Sequence, residues 1–166
     1  MSEKLTPERL VYAFKAASDP QIAPDGSRIV YSVSQTSPET KKTTSHLWIC
    51  DIDGGNNRQL TSAGSSNTGP VWSPDGTQIA FVSDRDGGSG IFVIPAAGLG
   101  EARQVTKHNQ SVSGLAWSPD GTHIAYNTTY DPANPDEAAP TAGDAPQVRV
   151  IDRIDYKYDG RGYIGD

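Results

Sequence analysis

Trp72-Ser73-Pro74-Asp75-Gly76, with the apolar run Ile79-Ala80-Phe81-Val82 behind it, is the stretch that decides the fold. It returns as Trp117-Ser118-Pro119-Asp120-Gly121 before Ile124-Ala125-Tyr126. An earlier form reads Ala23-Pro24-Asp25-Gly26 before Ile29-Val30-Tyr31. Proline presets the backbone for the second position of a turn and aspartate suits the third. Glycine then takes the left-handed conformation that closes a bulged hairpin. The copies lie 50 and 45 residues apart, a period at which repeats signal propeller blades. The signal concerns fold, because a turn alone performs no chemistry.

Outward from each turn the internal order repeats. A short segment enters the turn and an apolar strand leaves it. A loop follows, then a second apolar strand: Leu47-Trp48-Ile49-Cys50-Asp51-Ile52 in the first repeat, Ile91-Phe92-Val93-Ile94 in the second. Glycine-containing turns lead to a polar strand, Arg58-Gln59-Leu60-Thr61 or Arg103-Gln104-Val105-Thr106. Four strands per repeat is the make-up of one propeller blade. Ile79–Val82 and Ile91–Ile94 are continuously apolar, as strands covered on both faces are, whereas a sandwich would leave alternation. The polar fourth strand suits an outer edge. Trp72, Phe81, Phe92, Trp117 and Tyr126 are the expected large contacts between blades.

Ahead of the repeats, Thr6-Pro7-Glu8 reads as a helix start, with Thr6 capping, Pro7 in the first turn and Glu8 at the positive dipole end. Leu10, Val11, Phe14 and Ala17 follow at helical spacing, predicting a helix from about Pro7 to Ala17. Asp19-Pro20 should end it. So short a helix needs its apolar face docked. Two long loops, Ser37–Ser45 and Asp131–Gln147, interrupt the first and third repeats. Because turns of a meander alternate between its ends, both should project from the face opposite the Pro-Asp-Gly turns. Val148–Tyr158 reads as a strand and Asp159-Gly160-Arg161-Gly162 as a turn, with no closing Leu-Thr strand after it.

The expected fold is therefore all-β: a partial β-propeller of about three four-stranded blades, the third incomplete, with a short N-terminal α-helix. Residues 1–20 form the helical segment and residues 21–166 the propeller, with blades at about 21–62, 69–107 and 113–166. Two blades and a fragment cannot close a ring, so the chain reads as the front of a larger propeller with open sheet edges. At 166 residues and a formal charge of −6, with basic residues scattered, nothing suggests a nucleic-acid partner. No apolar run long enough to span a membrane is present. The opening Met1–Leu5 lacks a signal-peptide core, and the single Cys50 allows no internal disulfide. A cytoplasmic location is the expectation.

The opening Leu5-Thr6-Pro7-Glu8, the passage from Ser18-Asp19-Pro20 to Pro24-Asp25-Gly26, the repeated Trp-Ser-Pro-Asp-Gly, and the run Arg153-Ile154-Asp155-Tyr156-Lys157-Tyr158-Asp159-Gly160-Arg161-Gly162-Tyr163-Ile164-Gly165-Asp166 resemble the N-terminal part of acylaminoacyl-peptidase-like serine peptidases of the prolyl oligopeptidase family. The Trp-Ser-Pro-Asp-Gly repeats are shared with TolB-type propellers. The resemblance implies a non-catalytic propeller that gates a C-terminal α/β-hydrolase domain, in a parent that hydrolyses short peptides, acylated ones included. It also implies that the N-terminal helix packs near that domain. The hydrolase domain and the further blades are the implied partners, or else a second copy pairing through open edges. The alternative is a TolB-like protein-interaction module.

No residue qualifies as catalytic, cofactor-binding or metal-ligating, and no cofactor is expected. Gly64-Ser65-Ser66-Asn67-Thr68 and Gly87-Gly88-Ser89-Gly90-Ile91 approach the Gly-x-Ser-x-Gly nucleophile elbow but lack its last glycine. His46, His108, His123 and Cys50 share no metal-ligand spacing and read as surface polar residues and one packed thiol. Asp51-x-Asp53-Gly54 and Asp84-x-Asp86-Gly87 lack the remaining ligands of a calcium loop and read as hairpin turns. Gly160-Arg161-Gly162 precedes no helix that would make it a phosphate loop.

Overall fold

The computed structural model describes residues 6–98 and 100–129, together with the backbone of residues 157–158 and 162–163. A short helix α1 (Pro7–Tyr12) opens the chain. The first four-stranded sheet follows, with β1 (Lys15–Ile22), β2 (Arg28–Thr36), β3 (Thr43–Asp51) and β4 (Arg58–Gln59) in that order. The second has β5 (Asn67–Trp72), β6 (Gln78–Ser83), β7 (Ser89–Pro95) and β8 (Arg103–His108), again in chain order. A third begins with β9 (Val112–Trp117) and β10 (Ile124–Thr128). Finally β11 (Lys157–Tyr158) pairs with β12 (Gly162–Tyr163). All pairings are antiparallel, so each sheet is a meander. The architecture is all-β, made of propeller-type blades.

The three turns form as their residues dictate. The amide of Gly26 donates to Ala23 O, that of Gly76 to Ser73 O and that of Gly121 to Ser118 O, at 2.8–2.9 Å. The glycines sit at φ of 72°, 69° and 70°, where a side chain would be strained. Beyond each turn the register is the same: Ile22 faces Ile29, Trp72 faces Ile79 and Trp117 faces Ile124.

The second blade is covered on both faces. Ile79, Ala80 and Phe81 are fully buried, and Ile91 through Ile94 are at most 5% exposed. Ile79, Phe81, Phe92 and Ile94 join Val30, Leu47 and Ile49 of the first sheet in one core cluster, with Phe81 and Phe92 stacked at 6.0 Å. The aromatic pair thus lies within one blade and packs toward the blade before it.

Some sequence expectations are corrected. The helix stops at Tyr12, and Lys15–Ile22 form β1, because the backbone of Lys15–Ser18 pairs with Ser32–Gln35 of β2. A six-residue helix holds too few hydrogen bonds to compete with that ladder. Its apolar face is not docked among the described residues: Leu10, Val11 and Phe14 are each more than half exposed. The Ser37–Ser45 loop contracts to residues 37–42, since β2 and β3 run on to the Thr36–Thr43 pair. Cys50 is half-buried, facing Ile29 on the side of the first sheet away from the second blade, rather than packed in the core. The Asp131–Gln147 loop and most of Val148–Tyr158 lie outside the described residues.

Phe81→Ala or Phe92→Ala should destabilise the chain by about 3–5 kcal/mol. Urea unfolding followed by tryptophan fluorescence measures it, and a loss below ~1 kcal/mol would contradict this packing.

Candidate functional site

Blade seams are where the side chains with most chemistry gather. The indole Nε1–H of Trp72 donates to Gln21 O of the first blade at 3.0 Å, and that of Trp117 donates to Val71 O of the second at 3.3 Å. Gln21 and Val71 hold the same place in their repeats, one residue before Ile22 and Trp72. Each blade thus anchors its aromatic on the inner strand of the one before. At the first seam the Arg28 guanidinium lies 5.2 Å above the Trp72 ring and donates to Ala96 O at 3.2 Å. Arg58 Nη2 reaches Ala97 O at 3.1 Å. Gln78 and His123 hold the Arg28 position in the other repeats.

The opposite end of this seam carries a polar network. Asn67, fully buried, accepts from Arg85 Nη2 at 2.8 Å and Ser83 Oγ at 3.0 Å. Its Nδ2 donates to Ala63 O at 3.0 Å and Ser45 O at 3.3 Å. Arg85 also lies 4.8 Å over the Phe92 ring. The Asp84 carboxylate takes the Ser65 and Ser66 amides at 2.8 and 2.9 Å, and the Ser65 hydroxyl as well. Ser66, at the centre of one near-elbow, is therefore a linker residue whose amide and carbonyl are both bonded to Asp84. Ser89, in the other, opens β7 and its Oγ accepts from Val112 N at 3.3 Å.

The remaining candidates stay apart. His46 meets Asn67, His108 lies 5.2 Å from the Tyr126 ring, and His123 Nδ1 is 2.7 Å from Thr122 Oγ1. Asp53 Oδ1 accepts the Gly55 amide and Asp51 Oδ2 accepts from Asn56, closing a hairpin turn. Among the described residues no three potential metal ligands come together. Of Gly160-Arg161-Gly162 only Gly162, in β12, is among the described residues.

On the turn face the three aspartates hold their own loops. Asp120 Oδ1 accepts from Ser118 Oγ at 2.6 Å and from Thr122 N and Oγ1 at 3.0 and 2.8 Å. Asp75 repeats the pattern with Ser73 and Thr77, and Asp25 with Ser27. The Ser118 hydroxyl and then the Thr122 amide hold the Asp120 carboxyl down at about 2. Ser73 lowers Asp75 and Ser27 lowers Asp25 in the same way.

Sequence reasoning missed one repeated feature on the inner strands. Asp19, Gly69 and Gly114, at φ of 51°, 59° and 63°, occupy one position of the repeat, and ladder irregularities fall beside it in all three sheets. Aligning Ser18-Asp19-Pro20 with Thr68-Gly69-Pro70 would have found it. Glycine adopts this backbone freely and aspartate tolerates it. Asp19, Gln21, Thr68, Val82, Ser113 and Leu115 line an open depression of about 350 Å³ on this inner wall.

These blades define a β-propeller-type domain. The profile of the TolB beta propeller domain matches residues 6–137. The chain belongs to that family. It is 39% identical over 92 residues to a Bacillus subtilis protein called uncharacterized peptidase YuxL, an alignment covering 55% of this chain and 14% of that protein. It is 38% identical over 85 residues to dipeptidyl-peptidase 5 of Porphyromonas gingivalis, covering 51% of this chain and 12% of the relative. Among solved structures, acylaminoacyl peptidase of Pyrococcus horikoshii superposes over 94% of this chain and 22% of its own, with TM-score 0.69 and 19% identity. The β-propeller domain of the trilobed protease of Pyrococcus furiosus, described as having an open velcro topology, superposes over 68% of this chain and 34% of its own, with TM-score 0.54 and 21% identity. The alignments span only 12–14% of the length of the named relatives. No helix among the described residues is long and apolar enough to cross a membrane.

Two outcomes follow from the seam and the turns. Trp72→Phe keeps one aromatic ring but loses the other and the indole N–H that reaches Gln21 O, and should cost at least about 1 kcal/mol by urea unfolding; an unchanged midpoint would contradict the anchor. The lowered carboxyls give stability that is complete above their ordinary 3.8 and lost as pH falls toward about 2. Thermal melts should therefore drop across that window, and drop less in Asp75→Asn/Asp120→Asn.

Proposed function

We propose that this chain is the non-catalytic propeller part of a serine peptidase of the prolyl oligopeptidase family, whose parent hydrolyses short peptides, acylated ones included. Its role is to gate access to a hydrolase domain and help position it. The observation that carries the reading is the agreement of named relatives and fold: the curated relatives are called peptidases, and the blades superpose on an acylaminoacyl peptidase over nearly the whole chain. The partners are then that hydrolase domain and further blades. The location is cytoplasmic, in keeping with the lone Cys50.

Under this reading chemistry resides elsewhere in the parent. The purified 166-residue chain should give no turnover of acyl-peptide or aminoacyl chromogenic substrates and no labelling by a serine-directed fluorophosphonate. Labelling or turnover would overturn the reading. In the longer parent protein, Trp72→Phe should raise kcat/KM for long peptides relative to short ones, because a looser seam widens a steric gate. An unchanged ratio argues against gating.

The family match also favours a second reading, a TolB-like module that binds a protein partner. Continuation of the reading frame separates the two: further blades and then a Gly-x-Ser-x-Gly support the peptidase, and blades alone support the module. Pairing of copies through open edges is a third possibility, tested by light scattering. A monomer with a cooperative melt counts against it.

A further inference from the structure

We propose that the seam between the first two blades is a proton-sensitive latch, in which His46 must stay neutral to hold Asn67. The proposal concerns the stability of the fold and stands whether or not the peptidase reading does.

The Asn67 carboxamide has one possible orientation. Its oxygen faces Arg85 Nη2 at 2.8 Å, and a guanidinium only donates. Its nitrogen faces Ala63 O at 3.0 Å and Ser45 O at 3.3 Å, which only accept. That same nitrogen lies 3.2 Å from His46 Nδ1. The amide nitrogen shares two hydrogens among these three neighbours and has no lone pair to offer, so the contact suits only an Nδ1 without hydrogen: a neutral ring with its proton on Nε2. Protonation would set one N–H against another, at a residue with no exposed surface that spans both blades.

Two charged groups from the segment after β6 act on this ring. Arg85 opposes a second cation, while Asp84 favours one. The Asp84 carboxylate, however, is turned onto the amides of Ser65 and Ser66. Asn67 and the Ser45 and Ala63 carbonyls bring no charge. Burial first and Arg85 second therefore push His46 below the ordinary 6.5. The unfolded chain takes up a proton at that ordinary value and the folded chain resists it. Stability is complete above 6.5 and declines as pH falls beneath it, well above the window in which the turn aspartates titrate.

Nitrogen-15 NMR of the intact chain tests this directly. His46 should appear as the Nε2–H tautomer and titrate below 6.5. An Nδ1–H tautomer, or titration at or above that value, would overturn the proposal. Thermal melts from about pH 7.5 down to about pH 5.5 give the second readout. The melting temperature should fall, and most of the fall should vanish in His46→Gln but persist in His123→Gln. A fall of the same size in His46→Gln would overturn the latch.

Discussion

Everything in this structure depends on blades lying face to face, with an indole N–H of one fixed to a backbone carbonyl of the blade before. The hydrogen bond from Trp72 to Gln21 O and that from Trp117 to Val71 O occupy the same repeat position. Each contributes on the order of 1 kcal/mol, far less than the burial of Phe81, Phe92 and the aliphatic residues around them. Burial therefore supplies the stability, and the indole sets the angle and height at which two sheets meet. The turns follow: a Cβ built on Gly76 would lie 3.6 Å from Pro24, and one on Gly121 3.7 Å from Pro74, so successive turns nest.

Small polar motifs repeat with the same economy. Thr61 Oγ1 accepts the Leu47 amide and Thr106 Oγ1 the Ile91 amide, where the fourth strand leaves regular pairing. Gln59 and Gln104 each reach over to the carbonyl of that threonine. The Gln-Leu-Thr and Gln-Val-Thr segments are thus edge fastenings rather than merely polar strands. They explain how β4 can be only two residues long without leaving the Leu47 amide unsatisfied.

Blade number, strand order and turn face were legible in the sequence because proline, aspartate and glycine act locally, and because strands covered on both faces are apolar throughout. The length of α1 was not. Leu10, Val11, Phe14 and Ala17 have helical spacing, but Lys15–Ile22 are claimed by pairing with β2, a non-local effect. The bulge at Asp19, Gly69 and Gly114 was hidden for a related reason: Asp19-Pro20 reads locally as a helix stop, and only the repeat alignment shows it as an inner-strand kink. The seam network around Asn67 was out of reach, since Arg85, His46 and Ser83 converge only once two sheets pack.

For function, the consequence is that this domain's distinctive groups serve its seams. Arg28 over Trp72 and Arg58 on Ala97 join one blade to another, and Arg85 holds Asn67, which reaches Ser45 O of the first blade. These three arginines are thus engaged in packing the blades rather than gathered into a site. Amide hydrogen exchange, measured residue by residue, tests the stacked arrangement most directly. The account predicts that Ile79–Val82 and Ile91–Ile94 of the middle blade exchange most slowly. It predicts clearly faster exchange in β9 and β10, several of whose residues are exposed. Equal protection in all three sheets, or slowest exchange in β9 and β10, would contradict it.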